Sequence, residues 1–227
     1  MPVVHSEFEP VRALHQSKAV QNVDLLVSVV RLPGRADCVV IDPGLEPGRI
    51  LAVMEDSGLE PAAILCTHGH ADHIAGNAAL KNAFPNAPLI IGEGDAEKLA
   101  DPELNLSAMF SAPLVSPAAD RLVREGETVE AAGMSFLVRE TPGHSSGHVV
   151  FITTDQQPWV VFGGDVLFQG SVGRTDFPDG NFDQLFASIR DKLFTLPAET
   201  EVYSGHGEPT TIGEEMETNP YVGRQAM

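Results

Sequence analysis

The sequence predicts an α+β fold in which β-sheets are covered by α-helices. Three observations predict it: apolar runs rich in β-branched residues, helical apolar periodicity between those runs, and glycine and proline turns that separate them. The chain has 227 residues, and 43% of them are hydrophobic. Because this content is sufficient for a core and shows no repeat or low-complexity character, we expect one domain spanning residues 1–227.

Seven apolar runs have the length and the Val, Ile and Leu content of strands. They cover residues 25–32, 38–41, 62–66, 88–91, 134–139, 149–154 and 159–162. Helices are predicted between them over residues 48–57, 76–84, 95–100 and 181–194. The last is the clearest, because its apolar side chains recur at helical spacing: Phe182, Leu185, Phe186, Ile189 and Leu193. Residues 104–120 show no period and are predicted to form a loop bordering a substrate pocket.

Charge and cysteine usage restrict the partners and the compartment. With 14 basic and 32 acidic residues the net charge is -18, which argues against nucleic acid and anionic membranes as partners. Cys38 and Cys66 lie in apolar runs, as expected for buried thiols in a reducing compartment. Residues 1–10 lack the pattern of a signal peptide, and the longest apolar segment, residues 23–32, is too short to span a bilayer. We therefore expect a cytoplasmic protein, and no feature indicates a protein partner.

A metal site is predicted directly after the strand at residues 62–66. There His68, His70, Asp72 and His73 place three imidazoles and a carboxylate within six residues. Residues two apart on a helix do not face each other, so this segment is predicted to be a folded loop. Imidazole and carboxylate ligands suit zinc, iron and manganese, and the lack of a neighbouring cysteine ligand argues against a closed structural zinc site.

Three further ligand types lie at strand-to-loop junctions later in the chain. His144 follows a Thr-Pro-Gly turn, Asp165 follows a strand and Gly-Gly, and His206 stands in Ser-Gly-His-Gly after another strand. A single histidine is more often a packed or solvated residue. Five of the eight histidines fall in these segments, however, which favours one shared metal site.

This order of residues, His-x-His-x-Asp-His followed by a His, an Asp and a His, resembles the metallo-β-lactamase superfamily. The resemblance implies a four-layer αββα sandwich and a site for two divalent metal ions, zinc in the first place, with iron or manganese as alternatives. It implies that one metal is bound by His68, His70 and His144, and the other by Asp72, His73 and His206. Asp165 would bridge both, and Asp72 and Asp165 would be catalytic.

Two divalent ions about 3.5 to 4 Å apart can generate a bridging hydroxide and polarise a substrate carbonyl. The predicted activity is therefore that of a binuclear metallohydrolase. A thioester is the favoured substrate, because a thiolate, whose parent thiol has a pKa of about 8.5, leaves without prior protonation. Two dications outweigh the charge of Asp72 and Asp165, so the centre can attract an anionic small molecule.

Two segments narrow the resemblance. Gly170-Ser-Val-Gly-Arg-Thr-Asp-Phe177 resembles the glyoxalase II and persulfide dioxygenase branches, and the Thr-Thr-Ile-Gly-Glu that follows His206 resembles compact bacterial glyoxalase II. The implied reaction is hydroxyacylglutathione hydrolysis. The 21 residues from 207 to 227 are too few for the helical extension that helps larger glyoxalase II proteins to hold glutathione, so the thiol carrier stays open.

Three other functions are alternatives to thioester hydrolysis. A persulfide dioxygenase would hold one ferrous ion on His68, His144 and Asp165. A lactonase or β-lactamase would share the metal ligands but gives no reason for the Gly-Arg-Thr-Asp-Phe segment. A metal-stabilised binding module would be expected to have lost ligands, and every ligand position is filled.

Other residues near the predicted metals are expected to support the site, and two of them, Arg174 and Asp42, have two interpretations each. Arg174, with Phe177, is predicted to bind the substrate, although an ion pair with Asp176 that shapes the loop explains Arg174 equally well. Asp42, at the end of a strand, either orients a ligand histidine or caps a turn. His148 is predicted to pack beside the metal site without being a ligand.

Overall fold

The structure, a computed structural model, describes residues 11–14 and 26–226. The strands are β1 Val11–Leu14, β2 Leu26–Val30, β3 Asp37–Ile41, β4 Glu60–Cys66, β5 Leu89–Gly92, β6 Arg121–Val123, β7 Thr128–Ala131, β8 Met134–Glu140, β9 Val149–Thr153, β10 Val160–Gly164, β11 Leu167–Phe168, β12 Ser171–Val172, β13 Glu201–Ser204 and β14 Thr210–Thr211. The α-helices are α1 Pro47–Ser57, α2 Ala71–Ile74, α3 Asn77–Ala83, α4 Phe182–Ser188 and α5 Ile212–Thr218. Shorter 3₁₀ helices cover Glu93–Leu99, Ser107–Phe110 and Arg224–Ala226, and a π-helical turn covers Ile189–Leu193.

Within the described residues, the strands form two six-stranded sheets and a small hairpin, β11–β12. The first sheet has the order β1-β2-β3-β4-β5-β6, and the second has the order β14-β13-β10-β9-β8-β7. Strands β3 to β6 pair in parallel, with Val40 opposite Ile64 and Ile64 opposite Leu89. Parallel strands need both faces covered, which explains why these segments read as continuous apolar runs.

Alternate side chains of the central strands enter different layers. Val39, Ile41 and Leu65 of the first sheet pack against Phe136 and Phe151 of the second. Their neighbours in sequence, Cys38, Val40 and Ile64, face the other way, onto α1 and α3 through Ile50, Met54 and Leu80. On the far side, Val150, Ile152 and Val161 pack under α4 and α5, through Leu185, Ile189 and Ile212. This helix, sheet, sheet, helix order is the predicted αββα sandwich.

The predicted helix over residues 181–194 differs from the structure at both ends. Asn181 is the N-cap, and its side-chain oxygen accepts a hydrogen bond from the Gln184 N–H. The last turn widens into a π-helix, because the Phe194 N–H donates to the Ile189 carbonyl five residues earlier. The predicted helix at residues 95–100 overlaps the 3₁₀ helix Glu93–Leu99, which begins two residues earlier and ends one residue earlier, and the predicted loop at residues 104–120 holds one 3₁₀ turn, Ser107–Phe110.

Some predictions about the chain termini and the compartment fall outside what the structure describes. Residues 1–10 and Leu25, the first residue of a predicted strand, lie outside the described residues. No helix in the described part is long and apolar enough to cross a bilayer. Cys38 and Cys66 are buried free thiols, and burial raises the pKa of both, so they pack as small apolar side chains.

Candidate metal centre

The seven predicted ligands come from four segments that follow strand ends. His68 and His70 lie in the loop after β4, and Asp72 and His73 lie on the short helix α2. His144 follows β8, Asp165 follows β10, and His206 follows β13. Since β8, β10 and β13 run in the same direction, their carboxyl ends meet at one edge of the second sheet.

The structure brings these side chains into two groups with Asp165 between them. The first group is His68, His70 and His144, and the second group is Asp72, His73 and His206; within each, and also within an overlapping set of His68, His73 and Asp165, the ligand atoms lie within 4.8 Å of one another. Asp165 Oδ2 is 3.6 Å from His144 Nε2 and 3.5 Å from His206 Nε2, and Asp165 Oδ1 is 3.3 Å from His73 Nε2. This grouping matches the one that the resemblance implies, while the ligation itself stays a prediction.

Buried atoms without hydrogen-bond partners test whether metal ions fit here. Among the described side chains, such atoms in this cluster are His68 Nε2, His70 Nε2, His73 Nε2 and Asp165 Oδ1. A buried polar atom that lacks a partner costs about 1 to 3 kcal/mol, so native structures rarely leave several together. The nitrogen and carboxylate donors are those that zinc, iron and manganese accept, so the residues fit divalent metal ions.

Burial favours the neutral form of two imidazoles of the first group, His68 and His70. Burial, together with the neighbouring imidazoles of His73 and His70, lowers the pKa of His68 well below its usual range. Burial and the proximity of His144 lower the pKa of His70 to about 4. Neutral imidazole is the form that ligates a metal, so His68 and His70 need no deprotonation before they bind one at neutral pH.

The second group carries opposite charges in close contact. Burial opposes protonation of His73, but Asp165, Asp72 and Asp42 raise its pKa well above the usual range. Burial likewise opposes protonation of His206, and Asp165 raises its pKa to about 10. Burial raises the pKa of Asp165, yet His73 and His206 hold it well below its usual range. The surrounding carboxylates thus favour a cation at this position, and a bound metal would displace protons from the imidazoles.

Asp42 contacts the ring of His73, a candidate ligand of the second group. Its Oδ2 lies 3.1 Å from His73 Nδ1, and its two oxygens accept hydrogen bonds of 2.7 Å from the Thr67 N–H and hydroxyl. These contacts favour the orienting interpretation over a simple turn cap. His148 packs below the site as predicted, and its Nε2 accepts a hydrogen bond from the Asp165 N–H.

Replacing Asp42 with alanine is expected to weaken metal binding by about 10 to 100-fold, because His73 loses the partner of its second ring nitrogen. Zn²⁺ affinity measured by competition with a chromogenic chelator checks this. Asp37→Ala is the matched control, since Asp37 begins the same strand and pairs with the exposed Arg35. Equal affinities of the Asp42→Ala variant and the wild type would contradict the orienting role.

The two predicted substrate residues lie beside the first group. The Phe177 ring centroid is 5.2 Å from that of His70 and 6.0 Å from that of His144. The exposed Arg174 guanidinium pairs with both oxygens of Asp176 and lies 4.3 Å from the Phe177 ring centroid. The loop-shaping ion pair is therefore present, while substrate contact stays a prediction.

Sequence reasoning missed two contacts to the candidate ligands, one from this segment and one from Phe168. The carbonyl of Arg174 lies 2.8 Å from His144 Nδ1, which fixes the orientation of that imidazole through the backbone. The Phe168 ring centroid lies 6.2 Å from that of His206, and so covers the second group. Its position three residues after Asp165 was the only available signal.

Comparison with known proteins agrees with this fold and shows its family. The model of the metallo-beta-lactamase superfamily matches residues 24–206. The chain is 37% identical over 193 residues to hydroxyacylglutathione hydrolase GloC of Haemophilus influenzae, covering 84% of this chain and 89% of that protein.

Two solved structures extend the comparison. The BLEG-1 B3 metallo-beta-lactamase superposes with a TM-score of 0.86 at 34% identity, covering 95% of this chain and 99% of that chain. TTHA1623 in a di-iron-bound form superposes with a TM-score of 0.77 at 37% identity, covering 94% and 99%. From its ligand order, its four-layer fold and these similarities, the chain belongs to the metallo-beta-lactamase superfamily of metallo-hydrolases.

Proposed function

We propose that this metallo-hydrolase cleaves hydroxyacyl thioesters of the hydroxyacylglutathione class, using two divalent metal ions. The observation that carries the proposal is that two ligand groups share Asp165 directly beside the loop of Arg174 and Phe177. Similarity to a relative named hydroxyacylglutathione hydrolase supports the same substrate class. When bound, the metal ions supply a Lewis acid and lower the pKa of water towards neutrality.

The two carboxylates that we propose as catalytic differ in exposure. The Asp72 side chain is 33% exposed, whereas that of Asp165 is 12% exposed. Asp72 is therefore the more accessible of the two to a substrate, and its ionised carboxylate would be placed to accept a proton from water. Asp165 lies deeper, between the groups, where its charge balances that of the cations.

The loop beside the first group supplies a surface for an anionic thioester. Phe177 offers an apolar wall next to His70 and His144, and Arg174 presents a planar cation at the rim. An arginine fork suits carboxylates, which the glutathionyl part of such a substrate carries. The thiolate product leaves without prior protonation, so a separate general acid is unnecessary.

Replacing Arg174 with alanine is expected to raise KM for S-lactoylglutathione by about 2- to 5-fold with little change in kcat, because an exposed charged contact contributes about 0.5 to 1 kcal/mol. Steady-state kinetics of the metal-loaded enzyme check this. Arg35→Ala is the matched control, since Arg35 makes the same two-point pair with Asp37, two residues later. An unchanged KM would assign Arg174 to the loop-shaping ion pair alone.

The test of the proposed function is kcat/KM for S-lactoylglutathione with Zn²⁺, Mn²⁺ and Fe²⁺ loaded in turn. A value of about 10⁴ M⁻¹s⁻¹ or more with one metal supports the thioester hydrolase. Turnover of a chromogenic cephalosporin alone would favour the second candidate, a β-lactamase, which the similarity to BLEG-1 B3 metallo-beta-lactamase supports. Oxygen uptake on glutathione persulfide with Fe²⁺ alone would favour the dioxygenase alternative.

We propose a small anionic thioester as the only partner of this site. That nucleic acid, membranes and other proteins are not partners stays a prediction, and so does the cytoplasmic location inferred from the two cysteines. The identity of the metal also stays open between zinc, iron and manganese.

A further inference from the structure

A buried carboxylate outside the ligand set joins the two loops that carry the first group. Asp95, in the 3₁₀ helix Glu93–Leu99, is fully buried. Its Oδ2 accepts hydrogen bonds of 2.8 Å from the Gly69 N–H and the Ser145 hydroxyl. Its Oδ1 accepts hydrogen bonds of 2.8 Å from the Gly147 N–H and Lys98 Nζ. Gly69 separates His68 from His70, and Ser145 follows His144. The Asp95 carboxylate therefore binds both loops by hydrogen bonds directly beside their candidate ligands.

Glycines let both loops approach this 3₁₀ helix backbone to backbone. A Cβ added at Gly69 would lie 2.5 Å from Lys98 Cβ, and one added at Gly147 would lie 2.1 Å from the Asp95 nitrogen. Both distances are too short for any side chain. The loops are therefore packed against Asp95 by shape as well as by hydrogen bonds.

Lys98 extends the contact to the loop that carries Arg174 and Phe177. Its ammonium is almost fully buried and bonds to the carboxylates of Asp95 and Asp179. Asp179 lies two residues after Phe177 and accepts a hydrogen bond of 2.9 Å from the Ser146 N–H. One buried cation between two carboxylates thus connects three segments that surround the first group.

We propose that Asp95, with Lys98 as its cation, is a positioning residue that sets the separation of His68 and His70 from His144. The inference rests on the proposed metal site. Backbone pairing of the Val149 N–H with the Thr67 carbonyl holds the bases of the two loops, whereas Asp95 holds their ligand-bearing parts. Loss of one acceptor oxygen therefore displaces ligand nitrogens while the strands stay paired.

Asp95→Asn removes that oxygen at constant volume. The amide nitrogen of the asparagine must face either the Gly69 and Ser145 donors or the Gly147 and Lys98 donors. An amide nitrogen cannot accept a hydrogen bond, so the two hydrogen bonds on that side are lost. Co²⁺ titration of the metal-free full chain is expected to show a shifted visible spectrum and at least about 10-fold weaker binding. The spectrum reports ligand geometry, which a merely structural role would leave unchanged.

Two variants make the test decisive. Ser145→Ala removes one donor and no charge, so it should fold and show a smaller spectral shift in the same direction. Glu215→Gln is the matched control, because Glu215 is also fully buried and accepts hydrogen bonds from Thr210, Asn219 and Gly170. This control should lower the melting temperature yet keep the wild-type Co²⁺ spectrum.

The outcomes separate this inference from the proposed function. If the wild type binds Co²⁺ and both Asp95→Asn and Ser145→Ala keep its spectrum and affinity, the positioning role is overturned while the metal site stands. If Asp95→Asn does not fold, Ser145→Ala decides alone by the same criterion. If the wild type binds neither Co²⁺ nor Zn²⁺, the proposed metal site fails and the inference fails with it.

Discussion

Asp165→Asn is expected to lower kcat/KM by more than about 100-fold, because residues that merely support metal ligands already cost about 10 to 100-fold. Asp165 lies between the two groups, within 3.3 to 3.6 Å of nitrogens from His73, His144 and His206. Asparagine keeps the shape of the side chain but removes the negative charge that would balance the proposed metal ions. The amide nitrogen of asparagine also replaces one of the two carboxylate oxygens of Asp165 that lie close to the histidine nitrogens.

Metal content and kinetics together check the Asp165 prediction. We expect the variant to retain less metal per chain than the wild type after dialysis, and to show no activity that added metal restores fully. Asp120→Asn is the control, since Asp120 is exposed and pairs with Lys81 and not with any of the candidate ligands. Wild-type activity in Asp165→Asn would rule out a shared carboxylate and, with it, the binuclear mechanism.

Gly205→Ala is expected to reduce activity by at least about 100-fold, since a misplacement of about 1 Å at a reacting centre costs that much. A Cβ at this position would lie 2.4 Å from Asp165 Oδ1 and 2.6 Å from His73 Cε1. Both side chains are held in place, His73 by its contact with Asp42 and Asp165 by the hydrogen bond from its N–H to the His148 ring. To make room for the methyl group, either side chain would have to move away from the candidate metal centre. The methyl group therefore pushes two candidate ligands out of place.

The control for Gly205→Ala is Gly48→Ala, in α1, where an added Cβ meets no atom within 4 Å. Alanine there should keep activity and leave stability equal or higher, because alanine is the better helix former. Zn²⁺ stoichiometry measured alongside kcat/KM shows whether the Gly205→Ala variant fails to bind metal or binds metal in a distorted site. Activity at the wild-type level would mean that the ligands around Asp165 can shift without consequence.

Most of the fold was predictable from periodicity, and the exceptions have a physical reason. The buried strands β3, β4, β5, β9 and β10 were predicted because long apolar runs are unambiguous when both faces are covered. The edge strands β6 and β7 were missed. They are short, with exposed polar side chains such as Thr128 and Glu130, and pairing with a neighbour defines them more than composition does.

The sequence by itself determined the family, the layer order and the set of candidate ligands, because His-x-His-x-Asp-His and the later residues are local signals at strand ends. Only the tertiary structure decided what holds those ligands in place. Asp95 reaches Gly147 across 52 positions and Asp42 reaches His73 across 31. Such partners carry no local pattern, since a carboxylate after a strand also fits a turn. Their role arises only when packing of the two sheets brings distant loops within hydrogen-bond distance.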